Sequence, residues 1–330
     1  MIWPPPWPDE AWLADIALHG GRTELFGSHL GLNQVAGWLP PLYWMVLRVW
    51  LWVWGADLGP QRGLSLVCAL GATVALWRLS QRWGLPGWVA LGAWLSVSWW
   101  RAALTGRPDM LCLALALWCL SLVGWRAGLA GGLALCTHPV ALPVLLRGRG
   151  QRWVWWAALA VPLACWGVYV LWSGPGFWWG QWWAQLARKG AGGSIPTAAR
   201  LAWHDPVVMG CAVLGLVRAP APRWALYVGA TGLAVYLGGE RGYPVYLVPW
   251  AVLGVGRVLW DLRPRVRRWA LLGLSILCLV VLGRSVQAEA VEVPDWWESQ
   301  YLDTHIPGGT IPDPYWYVPD PSVLRYTPPL

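Results

Sequence analysis

The sequence predicts an all-α, polytopic transmembrane protein with juxtamembrane helices and about 8–10 membrane segments, some of them broken or re-entrant. Three observations carry that reading. Hydrophobic residues make up 57% of the 330 residues and charged residues only 12%, too little polarity for a water-soluble fold of this length. Apolar runs recur from about residue 39 to residue 282. Tryptophan, which collects where bilayer meets water, occurs 33 times.

The chain opens on MIWPPPWPDEAW, which has neither the basic start nor the apolar core of a signal peptide. Residues 11–21 read as a short interfacial helix that ends at glycine, with Trp12, Ile16 and His19 on one side. A mixed, polar stretch at 22–37 suits an extramembrane loop. Pro40 and Pro41 then open LYWMVLRVWLWVWG, and prolines in a first helical turn lose little because those amides lack intrahelical partners. Further spans are expected at 62–79, 86–100, 109–125, 128–137, 139–147, 153–173, 207–217, 224–238, 243–260 and 269–283. The two beside His138-Pro139, and 207–217, are too short to cross alone. Broken helices of that kind are expected where backbone lines a cavity.

Arginine placement orients the spans. Arg78/Arg82, Arg126, Arg147/Arg149/Arg152, Arg218/Arg223 and the run Arg257, Arg263, Arg265, Arg267, Arg268 belong on the cytoplasmic side. The 101–108 turn, the 174–206 loop, the Glu240-Arg241 turn and the acidic tail then fall on the outer face. Parity poses one difficulty: a fully crossing 40–55 helix would put Asp9 on the cytoplasmic side. Arg48 lies in its middle, so a tilted, interfacial or re-entrant helix is expected there instead. Three regions result: an outer-face loop with a short interfacial helix at 1–37, a transmembrane core at 38–284, and an outer-face tail at 285–330.

The formal charge of +8 does not point to nucleic acid, because the arginines fall in short clusters between apolar segments. Seven cysteines show neither a disulfide framework nor metal-ligand spacing and read as small buried hydrophobes. No compact histidine-carboxylate motif is present, although a divalent metal held by residues from distant loops stays possible. The acidic pair Asp9-Glu10 beside a bilayer is a candidate site, with helix capping as its plain alternative. Asp109 could likewise be a first-turn acid, Glu240-Arg241 a local ion pair, and His138 a buried ring bonded to a carbonyl at the helix break.

The order Asp9-Glu10, Pro40-Pro41-Leu42-Tyr43-Trp44, Gly55, Arg62, Ser65 and Arg107-Pro108-Asp109-Met110 resembles the polyprenyl-phosphate-sugar-dependent membrane glycosyltransferases. It looks most like the dolichyl-phosphate-mannose-protein mannosyltransferase-like branch of that C superfamily, which includes the aminoarabinose transferases. The resemblance runs from Asp9 to about Leu146, with weaker matches at His138-Pro139 and Glu240-Arg241. It implies an integral protein of a prokaryotic inner membrane with its active site on the outer face. Its partners would be the bilayer, a polyprenyl-phosphate sugar donor and an unidentified lipid, glycan or protein acceptor. In this family the acid of the first outer loop is the catalytic base, a role that falls on Asp9 with Glu10 beside it, and Asp109 corresponds to the acid of the second. Members carry a span ahead of the acidic pair, a point at which this sequence departs from the family, and an in-frame apolar segment upstream of Met1 would restore it.

Transfer of that kind needs a base for the acceptor hydroxyl and cations for the leaving phosphate. A carboxylate opposite the departing phosphate suits single-displacement inversion. Arg107 and Arg241 are the outer-face candidates for phosphate, because a guanidinium grips two oxygens at once. Tyr43, His138 and Glu240 are the further substrate-contact candidates. A lipid or sugar transporter, or an inactive accessory subunit, is the alternative reading; a transporter predicts an inverted repeat, and none is evident.

Overall fold

A computed structural model of the chain describes residues 10, 13, 17, 40–55, 58–148, 152–173, 205–238, 243–271, 273, 276, 277, 280 and 283. Every regular element among them is helical. The order begins with α1 (Leu42–Trp54) and α2 (Leu58–Arg82), then a 3₁₀ segment (Gly87–Leu95), α3 (Val97–Ala103), α4 (Asp109–Ser121) and α5 (Gly124–Leu135). A second 3₁₀ segment (Pro139–Gly148) leads to α6 (Trp153–Ser173), α7 (Pro206–Val217), α8 (Pro222–Gly238), a 3₁₀ turn (Tyr243–Leu247) and α9 (Val248–Asp261). Residues 264–271 are helical again.

Two helical stretches, Gly59–Arg82 and Trp153–Leu171, are long and apolar enough to cross a membrane. They differ in burial. The apolar window in α2 is 56% buried, whereas only 11% of that in α6 is covered by protein.

Proline and glycine explain most departures from plain helix. Pro139 and Pro143 each remove an amide donor, and the expected 139–147 span is wound as 3₁₀ helix. The expected 86–100 span is two pieces, because Ser96 adopts extended backbone and caps α3 by accepting from the Trp99 amide. α2 ends in a Schellman turn: Gly84 sits at φ 70°, and the Leu85 amide reaches back to the Ser80 carbonyl at 3.0 Å. Glycines also set the closest helix approaches. A Cβ on Gly128 or Gly132 of α5 would strike the backbone of α6, and one on Gly215 or Gly254 would drive α7 and α9 apart.

Successive long elements alternate in direction, so the bundle has two chemically distinct ends. At one end lie Arg78, Arg82, Arg126, Arg147, Arg218, Arg223 and Arg257, held together by packing of Trp83 on Trp224 and of Arg257 on Gly84. The start of α2, the 105–109 turn and the Tyr243–Leu247 turn meet at the other. α1 stays near this second end. Its first amide donates to the Cys136 carbonyl at 2.9 Å, and its Trp50 Nε1 donates to the Pro60 carbonyl at 2.7 Å. It therefore lies beside the opening turns of α2 without running the length of the bundle, burying Tyr43, Leu47 and Leu51 at four-residue spacing.

Candidate functional site

Glu10, Leu13 and Ala17 are helical, and all three are buried. Spacings of three and four residues put them on one helical face, so the acid turns inward with the apolar side chains. Asp9, the remainder of the first region, Glu240, Arg241, the 174–204 stretch and the tail from 284 onward lie outside the described residues.

A buried carboxylate needs both an opposite charge and hydrogen bonds. Arg62, in the first turns of α2, supplies both: Nε donates to Oε1 at 2.9 Å and Nη2 to Oε2 at 2.8 Å. This is the planar two-bond geometry that lysine could not reproduce. The Gly106 amide also donates to Oε1. Gln61 fastens the backbones, its Nε2 donating to the Glu10 carbonyl at 2.8 Å and the Gly106 carbonyl at 3.0 Å. Glycine is required at 106 because a Cβ there would overlap the Gln61 side chain.

Asp109 follows from the same turn. It is the first residue of α4 and is buried. Arg107 Nε lies 3.3 Å from its Oδ2, and the Tyr246 hydroxyl donates to Oδ1 at 3.2 Å. Ser65, one turn beyond Arg62, reaches toward the Arg107 carbonyl at 3.5 Å and links the two acids' surroundings. His138 joins through Tyr246, the two rings stacking at 6.4 Å. The Val140 amide donates to His138 Nδ1 at 3.2 Å, which places the proton of the neutral ring on Nε2, 3.2 Å from the Tyr243 hydroxyl oxygen. Tyr43 brings its buried hydroxyl beside Ser65 and into the field of Glu10 and Asp109, where it makes no well-formed hydrogen bond.

The sequence-nominated residues Glu10, Tyr43, Arg107, Asp109 and His138 are thus brought to one end of the bundle. Gln61, Gly106 and Tyr246 complete the cluster and were not singled out from sequence; Tyr243, which joins them, belongs to the weakly matching Glu240-Arg241-Gly-Tyr-Pro turn. Arg62 had a signal, a charge at the head of an apolar run, whereas the tyrosines resemble interfacial aromatics until their partners are known. Among the described residues, no three His, Cys, Asp or Glu side chains gather as a metal site. The cluster can accept a proton, orient a hydroxyl and hold an anionic oxygen.

A second polar knot was also missed. Asp205 is buried at the start of α7 and accepts from Ser96 Oγ, the Ser98 amide and Ser98 Oγ at 3.2, 3.1 and 2.7 Å, and from the Val208 amide at 3.0 Å. It closes one end of an apolar cavity of about 380 Å³ between Gly87–Leu95, α7 and α9, with Arg267 at the cavity's far rim.

No family model matches the chain, and neither a curated protein nor a solved structure is significantly similar to it.

Proposed function

We propose that the chain is an integral membrane glycosyltransferase that moves a sugar from a polyprenyl-phosphate donor to a lipid, glycan or protein acceptor at the outer face. The observation that carries this reading is the meeting of Glu10, Arg62, Arg107, Asp109 and His138 in one buried polar cluster, drawn from widely separated parts of the sequence. The resemblance nominated most of these residues by order alone, and their adjacency is what a single reaction centre requires.

The membrane assignment draws on a separate property. α6 exposes Val161, Val168 and Leu171, while Leu70, Val74 and Trp77 of α2 are exposed as well, leaving apolar surface that suits lipid contact. Arginines at the end opposite the acids agree with a cytoplasmic location for that end.

In this reading Glu10 is a positioning residue. Both of its oxygens are engaged, so it anchors the first outer loop on Arg62 and leaves the neighbouring Asp9 as the base. An acceptor hydroxyl gives its proton to Asp9, and its oxygen attacks the anomeric carbon from the face opposite the phosphate. The bond from that carbon to the phosphate oxygen breaks, and its electron pair leaves on the polyprenyl phosphate. Arg107 faces the developing negative charge while Asp109 and Tyr246 hold its position. Bilayer-reconstituted protein given a labelled polyprenyl-phosphate sugar and a mixture of membrane acceptors tests the reading. Label recovered in an acceptor, with inversion at the anomeric carbon, supports it. Movement of intact donor across the bilayer without transfer would identify a flippase instead.

A further inference from the structure

The end of the bundle opposite Glu10 is unusual in how its positive charge is arranged. Arg82 closes α2, Arg147 lies at the end of Pro139–Gly148, and Arg223 sits in the first turn of α8. Arg82 Nη1 donates to the Leu120 carbonyl at 2.7 Å, fixing it over the end of α4. Trp83 and Trp224, the residues after Arg82 and Arg223, pack with ring centroids 6.1 Å apart. The segment carrying Arg147 packs on α8 and α4, and the three guanidinium groups lie within one another's fields.

Among the described residues, no carboxylate pairs with this cluster, while Asp261 at the same end lies 4.0 Å from Arg218 and 3.7 Å from Arg257. Arg78 and Arg126 rest on the rings of Trp118 and Trp125, and Arg223 lies farther out, 5.9 Å from the Trp224 ring centre. Arg147 is half-buried, and its Nε is buried without an acceptor. Topology accounts for arginines at this end of the bundle. It does not account for three of them converging, one with an unsatisfied donor held inside the protein.

We propose that Arg82, Arg147 and Arg223 form a binding site for a phosphate group, supplied by the headgroup of an anionic phospholipid or by a soluble phosphate. A phosphate offers several acceptor oxygens and at least one negative charge, which matches convergent guanidinium groups. This site is independent of the sugar-transfer reading.

The test uses the full chain with Arg147→Gln and Arg223→Gln, and Arg126→Gln as a control at the same end. In nanodiscs containing phosphatidylglycerol and phosphatidylcholine, native mass spectrometry reads the lipid retained; in detergent, thermal unfolding is followed with and without pyrophosphate. Retention of phosphatidylglycerol should fall roughly fivefold for each cluster arginine removed and stay unchanged in the control. Stabilisation of the wild type by pyrophosphate identifies a site open to soluble phosphates, and retention of phosphatidylglycerol without that stabilisation identifies a headgroup site. Anion-free Arg147→Gln should unfold at a higher temperature than wild type, because removing one of three repelling charges relieves the others. Equal loss in Arg126→Gln, or unchanged behaviour of both cluster variants, would overturn the proposal.

Discussion

Glu10 and Arg62 lie 52 positions apart in sequence and meet through both carboxylate oxygens and two guanidinium nitrogens, with the two side chains 0% and 3% exposed. Burial makes the pair conditional on both members. Removing one leaves an uncompensated charge inside the protein, at a typical cost of about 3–5 kcal/mol. Arg62→Met should therefore lower stability by that amount, while the double variant Glu10→Gln/Arg62→Met recovers much of the loss. Reversible denaturation of the four proteins of this double-mutant cycle checks it; additive losses would show that the pair is not coupled.

The turn between α3 and α4 predicts an effect of a substitution that removes no charged group. Gly106→Ala places a methyl where Gln61 now lies, so both backbone bonds from Gln61 must shift along with the Gly106 amide bond to Glu10. Sugar transfer should drop about tenfold or more with the protein still inserted and folded, since misplacement of a site by about 1 Å commonly has that effect. Activity per folded molecule, with circular dichroism as the check on folding, decides it.

Tyr246 offers a milder test. Tyr246→Phe removes the hydrogen bond to Asp109 while keeping the ring that stacks on His138. The expected loss is about 1.5–3 kcal/mol, the range for a bond to a charged group. Thermal or denaturant unfolding measures it, and an unchanged midpoint would mean that the contact contributes nothing.

Asp205 should prove as important to the fold as Glu10. Its carboxylate joins the extended residue Ser96 to the start of α7 through four hydrogen bonds. Asp205→Ala is expected to destabilise by about 3 kcal/mol, from the lost helix cap and the stranded donors together. Protease sensitivity should rise around residues 96–98. Stability within about 0.5 kcal/mol of wild type, the range for an ordinary surface change, would contradict this.

The helical class was legible because apolar runs dominate the chain, and some helix ends were legible where glycine or proline marked them, as at Gly84-Leu85-Pro86. Others were not, since the expected 109–125 span ends at Ser121 and Gly124 opens a new helix. The break at Ser96 was not legible, because its cause is Asp205, 109 positions away. Similarly, the order of Glu10, Arg107 and Asp109 could nominate a site, but nothing local says that Arg62 turns back onto Glu10. Periodicity reports which face of a helix is apolar, whereas a buried ion pair depends on which helices become neighbours. Arg48 and the parity of the arginine clusters, both properties of the whole chain, raised the expectation of a tilted, interfacial or re-entrant helix, and α1 lies beside the opening turns of α2.

Sugar transfer by the Glu10-anchored cluster, with Asp9 as base, is tested most directly by transfer from a labelled polyprenyl-phosphate sugar. Wild type, Asp9→Asn and Arg107→Gln would be compared in the same bilayers at equal amounts of folded protein. Transfer by wild type is expected, with a loss of at least about a hundredfold in Asp9→Asn, as for removal of a general base, and a large loss in Arg107→Gln. Wild-type rates in both variants, or no transfer by wild type with any polyprenyl-phosphate sugar, would contradict that role for the cluster.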